Sequence, residues 1–122
     1  MKKILLIDDD TMLVNMITER LGSEGYEVLS ASDGNSGFKE AQKKKPDLIL
    51  LDVKMGKTNG FDVLNKLKED KKTRGIPVFM LTGNTGQEDI NKGIQGYADK
   101  YITKPFETKD LLNEIRQTLS RF

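Results

Sequence analysis

The fold is decided by the segment DLILLD, residues 47–52. Four consecutive aliphatic residues with no polar residue between them are typical of a strand that is buried on both faces, as in a parallel sheet covered by helices. Asp52 follows at the carboxyl end of this predicted strand, where open α/β sheets bind their ligands. On this segment alone, Asp52 is either a ligand-binding carboxylate or an ordinary turn residue, because aspartate is also common at turns.

Strands and helices alternate along the rest of the chain. Short runs of apolar or β-branched residues predict strands at residues 4–7, 26–31, 77–82 and 100–103. Apolar residues at helical spacing predict helices that begin near residues 11, 34, 60, 83 and 108, and residues 53–59 are predicted to form a loop. Five strands alternating with five helices predict a doubly wound α/β sandwich, whose strand order cannot be read from spacing alone.

Individual residues predict where some helices begin and how stable one of them is. Asp10 is predicted to cap the first helix and Thr108 the last, because short polar side chains accept hydrogen bonds from free amides at these positions. The fourth predicted helix, residues 83–96, includes Gly86 and Gly93. An interior glycine costs roughly 1 kcal/mol. This helix is therefore predicted to have low intrinsic stability and is a candidate moving part.

Length and charge limit the class of protein. A chain of 122 residues has the size of one domain, predicted to span residues 1–122. The formal net charge of +1 gives no bulk reason to expect nucleic acid or an anionic membrane as a partner. The apolar run at residues 4–7 is too short for a signal peptide or a membrane span, so a cytoplasmic location without membrane insertion is expected.

The chain contains neither cysteine nor histidine. Disulfides, thiolate catalysis, histidine metal ligands and phosphohistidine are thereby excluded. Any phosphoryl chemistry must therefore use carboxylates, lysine and hydroxyl groups.

Polar side chains follow four of the predicted strands. Asp8 and Asp9 follow the first strand, Asp52 ends the third, Thr82 ends the fourth and Lys104 follows the fifth. In a parallel sheet these ends open on one edge, so the groups are expected to converge. Carboxylates packed closely repel and raise one another's pKa, which a bound divalent cation relieves. With oxygen ligands only, Mg²⁺ is preferred and Mn²⁺ is the alternative, and Mg²⁺ also accepts phosphate oxygens, so the site points to phosphoryl transfer.

Four motifs follow the first, third, fourth and fifth predicted strands in order. They are IDDD at residues 7–10, LDVKM at residues 51–55 with Gly60, LTG at residues 81–83 and YITKPF at residues 101–106. Together they resemble the receiver domain of two-component response regulators, as in chemotaxis regulators, over the full length of the chain. Each motif is weak alone, but all four in this order are highly specific. The resemblance implies a flavodoxin-like (βα)5 three-layer sandwich with sheet order 2-1-3-4-5.

The resemblance also implies roles for individual residues. Asp52 resembles the phosphoacceptor, whose carboxylate attacks phosphorus to form an acyl phosphate. Lys104 and Thr82 resemble the residues that donate to phosphoryl oxygens, and Tyr101 resembles the switch aromatic. The implied Mg²⁺ ligands are Asp8, directly or through water, together with Asp9, Asp52 and the backbone carbonyl of Lys54.

Simpler interpretations of the same residues stay open. Asp8 and Asp9 are also typical of a helix N-terminus, and Thr82 is typical of a strand. Lys104 is also typical of an exposed surface, and Tyr101 of a half-buried strand aromatic.

The implied function is a phosphorylation-activated switch in a two-component phosphorelay. The donor would be a histidine kinase or a phosphotransfer protein. A downstream protein target would bind the face made by the fourth helix, the last strand and the fifth helix, without direct contact to nucleic acid. Such a domain takes part in its own phosphorylation and dephosphorylation but turns over no separate substrate, so it is not expected to be an enzyme.

Three alternatives are kept beside this function. The chain is either a stand-alone receiver or a receiver fragment of a larger transcriptional regulator or hybrid kinase. A small haloacid-dehalogenase-like phosphatase is a remote alternative, because residues 8–10 contain its Asp-x-Asp pattern although Met12 occupies the usual Thr or Val place. A flavodoxin-type electron carrier is disfavoured because three aspartates would repel the flavin phosphate.

Two positions depart from the family's usual pattern. Gly56 stands where the family usually has proline after Met55, which predicts a looser loop around Lys54 and a slightly lower metal affinity. Tyr97 stands where the family often has the glycine that ends the fourth helix, and a bulky residue disfavours positive φ.

Overall fold

The computed structural model describes residues 1–56, 58–83 and 98–120. The predicted fourth helix falls almost wholly on residues 84–97, so it lies outside the described residues, together with Tyr97 and the fourth-helix part of the predicted output face. Among the described residues, no helix has the length and apolar character needed to cross a membrane. The elements in chain order are β1 (Lys3–Ile7), α1 (Thr11–Ser23), β2 (Glu27–Ala31), α2 (Gly34–Lys44), β3 (Leu48–Asp52), β4 (Lys54–Met55), β5 (Thr58–Asn59), α3 (Gly60–Glu69), β6 (Val78–Thr82), β7 (Lys100–Thr103) and a C-terminal helix (Thr108–Leu119).

The main sheet has five strands in the order β2-β1-β3-β6-β7, and all neighbouring strands are parallel. Counted within this sheet alone, the order is 2-1-3-4-5, so the predicted flavodoxin-like order is confirmed. The order reverses direction at β1 and β3, and ligands of such sheets bind beyond the carboxyl ends of the strands near this reversal.

The core lies on both faces of this sheet. Residues that alternate along the central strands point to opposite faces. One set packs with α2 and α3, and the other packs with α1 and the C-terminal helix. Every residue of β3 and β6 is buried, and each fully buried leucine contributes about 1.5–3 kcal/mol to stability. Burial on both faces explains why these strands show no polar alternation.

The segment between β3 and α3 forms a small antiparallel hairpin, so the loop predicted there was wrong. Lys54 pairs with Asn59, and Met55 pairs with Thr58. Gly56 follows β4 with a φ of 56°, in the left-handed region that glycine adopts without steric cost. This backbone conformation fits the change of direction between β4 and β5.

The predicted N-terminal cap is present in α1 but not in the C-terminal helix. Asp10 caps α1, because its carboxylate accepts a hydrogen bond from the Leu13 amide at 3.2 Å. The prediction for Thr108 was wrong, because Thr108 is the first helical residue and the capping position is held by Glu107 without a side-chain bond. The Glu107 carbonyl accepts from the Asp110 and Leu111 amides, which sets the helix start one residue earlier.

Candidate functional site

The strand register brings the predicted polar groups to one edge of the sheet. Ile7 lies beside Leu51, one residue before Asp8 and Asp52, respectively. Asp52 pairs with Leu81, and Thr82 pairs with Thr103, the residue before Lys104. The carboxyl ends of β1, β3, β6 and β7 therefore meet, as the sequence predicts.

Three carboxylates form a cluster at this edge. Asp8, Asp9 and Asp52 each offer an oxygen atom, and these three atoms lie within 4.8 Å of one another. Asp8 and Asp52 are buried, with 2% and 7% exposure, whereas Asp9 is exposed. Such a cluster of oxygen ligands is of the kind that hard divalent cations prefer.

Lys104 bridges the two buried acids. Its Nζ lies 3.1 Å from Oδ2 of Asp8 and 3.3 Å from Oδ1 of Asp52. Its backbone amide donates to the Thr82 carbonyl at 2.6 Å, which fixes the start of the side chain beside β6. Burial alone would lower the pKa of Lys104, but the hydrogen bond to Asp8 and the charges of both acids outweigh it and raise that pKa. Lys104 is therefore a firmly protonated cation within the acidic cluster.

The carboxyl of Asp52 is harder to ionise than an ordinary aspartate. Burial, and then the negative charge of Asp8, raise its pKa to about 6, although Lys104 opposes the shift. Among the described residues of this cluster, three carboxylates and the ammonium group of Lys104 leave two negative charges when all are ionised. Burial is the larger cause of the raised pKa of Asp52, and the negative charge of Asp8 adds to it.

The two acids after β1 differ in their contacts with the rest of the chain. Both oxygens of Asp8 have partners in the chain: Oδ1 accepts from the Asp10 amide at 2.9 Å and Oδ2 contacts Lys104. Asp9 is exposed to solvent on the same edge. Asp9 is thus the acid best placed to offer an oxygen to a ligand.

Gly60 supports Asp52 from the side of α3. A Cβ atom at residue 60 would collide with the Asp52 carbonyl oxygen and lie 2.8 Å from Cα of Val53. The Gly60 amide also donates to the Val53 carbonyl at 2.6 Å. The sequence marked Gly60 only as part of a motif, because its packing depends on how α3 folds back onto the end of β3.

Thr82 is fully buried at the end of β6. Its hydroxyl donates to the carbonyl of Gly83 at 2.9 Å. The hydroxyl is thus engaged by the local backbone, and a different acceptor must replace Gly83 before Thr82 can donate elsewhere.

Tyr101 is partly buried beside Met80 and packs against the core cluster that faces α2 and α3. Its hydroxyl is buried without a hydrogen-bond partner among the described residues. Burial, and then the charge of Asp99, raise the pKa of this hydroxyl. Tyr101 thus belongs to the packed side of the sheet, apart from the acidic cluster.

Lys54 follows Asp52 on β4. Its backbone amide lies 3.4 Å from Oδ1 of Asp52, a long hydrogen bond that ties the hairpin to the carboxylate. Its side chain is exposed. The predicted role of the Lys54 carbonyl as a metal ligand stays a prediction.

A polar cleft of about 540 Å³ opens beside Asp8 and Asp9 on the β2 side of β1. No sequence pattern predicts this cleft, because its walls come from separate elements. Its lining includes Thr11, Asn15, Ser30, Ser32, Ser36 and Glu40. The acidic edge is therefore open to water and to polar ligands from this side.

A family model described as the response regulator receiver domain matches residues 4–116. Among curated proteins, the DNA-binding dual master transcriptional regulator RpaA of Synechocystis is 40% identical over 121 residues, which is 99% of this chain and 50% of that protein. The chain spans about half the length of the curated relatives it matches.

Solved structures give the same result. A CheY-like response regulator receiver domain protein from Methanospirillum hungatei is 31% identical with a TM-score of 0.92, covering 99% of this chain and 95% of that one. The receiver domain of the sensor histidine kinase PA1611 from Pseudomonas aeruginosa is 26% identical with a TM-score of 0.89, covering 98% of each chain. That structure has a magnesium ion coordinated in its active site cleft.

Proposed function

The chain belongs to the response regulator receiver domain family, and from this premise we propose that it is a switch that accepts a phosphoryl group on Asp52. The observation that carries the proposal is the cluster of Asp8, Asp9 and Asp52 around Lys104 at the carboxyl edge of the sheet. The family is a signalling one, and the particular residues, ligands and partners below are proposals for this chain.

The acidic cluster fits a divalent cation, because its three carboxylates exceed the charge of its one lysine. We propose that Mg²⁺, or Mn²⁺ in its place, binds Asp9 and Asp52 directly and Asp8 directly or through water, with the Lys54 carbonyl as a further ligand. When bound, the ion supplies positive charge that offsets the charge of an incoming phosphoryl group. The magnesium ion in the Pseudomonas receiver domain supports this assignment.

Asp52 is the proposed nucleophile. The contacts from Lys104 and from the Lys54 amide both fall on its Oδ1, so Oδ2 is the oxygen we assign to the attack. Oδ2 forms a bond to phosphorus while the bond between phosphorus and the donor's imidazole nitrogen breaks, and the electron pair of that bond stays with the nitrogen. The products are an acyl phosphate on Asp52 and a free imidazole on the donor.

Lys104 and Thr82 are the proposed donors to the phosphoryl oxygens. Lys104 already contacts Asp52 and carries a fixed positive charge in a half-buried position, where electrostatic interactions are stronger than in water. The Thr82 hydroxyl would exchange the Gly83 carbonyl for a phosphoryl oxygen. That exchange is the first structural change we expect on phosphorylation.

The output is proposed to be a population shift. Movement of Thr82 would change the packing around Tyr101 and alter how the predicted output face, which includes β7 and the C-terminal helix, binds a protein target. Shifting a two-state balance from about 1:99 to 99:1 requires roughly 5.5 kcal/mol of differential interaction. The proposed donor is a histidine kinase or a phosphotransfer protein.

We propose that residues 1–122 form one receiver domain that undergoes its own phosphorylation and dephosphorylation without turning over a separate substrate. The curated relatives are about twice as long and several are named as DNA-binding regulators. A receiver within a larger regulator of that kind is therefore the second assignment, and it leaves the chemistry at Asp52 unchanged.

Incubation with acetyl phosphate and Mg²⁺ tests the proposal. Intact-protein mass spectrometry is expected to detect one added phosphoryl group, which is lost in Asp52→Asn and in the presence of a chelator. A phosphoryl group that remains at this site in Asp52→Asn would contradict the assignment. Asp47→Asn is the matched control, since Asp47 lies at the opposite end of the same strand.

A further inference from the structure

Two basic segments meet at the amino edge of the main sheet. The first begins after Gln42 in the last turn of α2, and the second begins after Asp70 at the end of α3. The side-chain amide of Gln42 donates to Oδ2 of Asp70 at 2.9 Å, and α2 and α3 pack in one core cluster. The two segments contribute six exposed cations, which are Lys43, Lys44, Lys45, Lys71, Lys72 and Arg74. Together they form the basic surface.

The positive charge of the basic surface exceeds what the fold uses. None of its six cations forms an ion pair with another described residue. The acids that adjoin it in sequence are Asp47, Glu69 and Asp70, and two of them already accept hydrogen bonds within the fold. The C-terminal end of a helix carries about half a negative charge, so α2 and α3 together offset about one more cation. An excess of about two positive charges is left for a partner.

The backbone of both basic segments is held in place. After α3, the Asp70 carbonyl accepts from the amides of Thr73 and Arg74 at 3.1 and 2.8 Å, and the Thr73 side chain is buried. After α2, the Lys45 amide donates to the Ala41 carbonyl at 3.0 Å. A surface whose backbone is already ordered loses less conformational freedom when a partner binds.

A small cavity of about 170 Å³ adjoins the basic surface. Lys45 precedes Pro46, Arg74 precedes Gly75, and both Pro46 and Gly75 line the cavity. The other lining residues are Lys2, Asp47, Ile76, Pro77 and Leu119, so most of the lining side chains are apolar. An apolar cavity of about 150 Å³ accommodates a molecule the size of benzene. This cavity is therefore large enough for one leucine side chain.

We propose that the basic surface docks an acidic protein segment, whose carboxylates contact the cations while one apolar side chain enters the cavity. Such a segment matches both features, since acidic motifs are recognised by clustered cations and tight contacts centre on an anchor side chain in a pocket. Nucleic acid matches only the first feature, because its phosphates supply charge but no aliphatic side chain. The surface lies at the opposite edge of the sheet from Asp52, so the proposal does not depend on the proposed function.

The probe is a labelled synthetic peptide of aspartate and glutamate with one central leucine, and fluorescence anisotropy measures its affinity for the full chain. An analogue with alanine in place of leucine is expected to bind about tenfold more weakly, because the buried apolar carbons are lost. Raising the salt concentration from about 50 to 300 mM should weaken the leucine peptide about fivefold by screening. NMR spectra should show shifts at the amides of Gly75 and Ile76 and none at Asp9 or Asp52.

Charge reversals locate the peptide on the chain. Lys44→Glu and Lys71→Glu, one in each basic segment, should each weaken the leucine peptide about fivefold, because an attraction becomes a repulsion. Lys109→Glu is the matched control, since Lys109 is equally exposed but lies in the first turn of the C-terminal helix, and it should stay within about twofold of the parent. Thermal unfolding shows that each variant folds. Lys44→Glu and Lys71→Glu should still be labelled by acetyl phosphate, which separates this proposal from the chemistry at Asp52.

Several results would overturn the proposal. Equal affinities for the leucine and alanine peptides would show that the cavity takes no side chain, and unchanged affinity in Lys44→Glu and Lys71→Glu would show that the cations are not the docking site. Tighter binding of a DNA duplex than of the leucine peptide would assign the surface to nucleic acid. Tighter peptide binding by Phe122→Ala would assign the cavity to that residue of the chain itself. Self-association of the parent at low salt that Lys44→Glu abolishes would assign the surface to a second copy.

Discussion

Charged groups have different partners at the amino and carboxyl edges of the main sheet. At the amino edge, each acid serves the fold: Asp47 accepts from the Lys3 amide at 2.8 Å, and Asp99 accepts from the Val78 amide at 2.8 Å. Lys68 lies 3.7 Å from Asp99 and offsets its charge. These carboxylates accept hydrogen bonds from the amides of the first residues of β1 and β6.

At the carboxyl edge, the acids outnumber the nearby cation. Asp8, Asp9 and Asp52 cluster there, Lys104 contacts Asp8 and Asp52, and burial together with like charge raises the pKa of Asp52. The comparison teaches that charge in this molecule stabilises the fold at the amino edge and leaves negative charge in excess in the cluster at the carboxyl edge. Removal of a carboxylate at the two edges should therefore have opposite effects on stability, and only the substitution at the carboxyl edge should affect phosphorylation.

The same substitution at the two edges gives the largest contrast. Asp52→Asn is expected to abolish phosphorylation and, without metal at pH 7, to raise the free energy of unfolding by about 1–2 kcal/mol, because it removes a buried like charge. Asp47→Asn should keep phosphorylation and lower the free energy of unfolding by about 0.5–1 kcal/mol. Denaturant unfolding and acetyl phosphate labelling measure both. Equal signs for the two stability changes would contradict the comparison.

Gly60→Ala tests how closely α3 packs against β3 at the carboxyl edge. The new methyl group would collide with the Asp52 backbone, so the free energy of unfolding should fall by about 2–3 kcal/mol. Phosphorylation should slow as well, because the end of β3 must move. Gly75→Ala provides the control and should change stability by less than about 0.5 kcal/mol. A fully stable Gly60→Ala would refute the close contact.

Thr73→Val tests a neutral group toward the amino edge. The buried Thr73 hydroxyl donates to the Leu67 carbonyl at 2.6 Å. Valine keeps the shape but leaves this carbonyl unpaired, at a cost of about 1–2 kcal/mol. Denaturant unfolding should detect the loss, whereas the rate of acetyl phosphate labelling should match that of the parent. A slower labelling rate would mean that the two edges are coupled.

The smallest effect concerns pH. The folded chain holds a proton on Asp52 up to about pH 6, whereas an unfolded chain releases it near 3.8. The contribution of Asp52 to the free energy of unfolding therefore falls as pH rises from about 4 to 6 in the absence of metal, because the folded state binds more protons in that range. Mg²⁺ competes with this proton, so its affinity should fall about tenfold between pH 7.5 and pH 5.

Calorimetric titration at the two pH values measures this effect on Mg²⁺ affinity. An affinity that is unchanged at pH 5 would contradict the raised pKa. Asp70, near the end of α3, is a useful contrast, because its hydrogen bond from Gln42 lowers its pKa and its contribution to stability is lost as pH falls.

The sequence predicted the sheet well for a physical reason. The strand within residues 47–52 is buried on both faces, so its run of apolar residues is easily recognised as a strand. The acid that ends such a run then marks the end of the strand. The order of the strands came from the resemblance to a family. Convergence of Asp8, Asp52 and Lys104 followed from the parallel arrangement, and the structure confirms it.

Other features could not be predicted, because they depend on contacts between elements. The β4–β5 strands have two residues each, too few for periodicity to show. The contact of Gly60 with Asp52 appears only when α3 has packed. The Thr82 hydroxyl donates to the Gly83 carbonyl, and this choice of acceptor depends on the rotation of the side chain, which no sequence pattern shows.

The charged residues at the ends of the buried strands also affect the chain before it folds. Residues 48–51 and 78–81 are wholly apolar and carry no charge, and exposed segments of this kind promote aggregation when a chain is unfolded. Asp47 and Asp52 flank the first of these segments as gatekeepers. The acid that carries the proposed chemistry thus also helps to keep the newly made chain from aggregating, so neutralising it would favour the folded state and the aggregate alike.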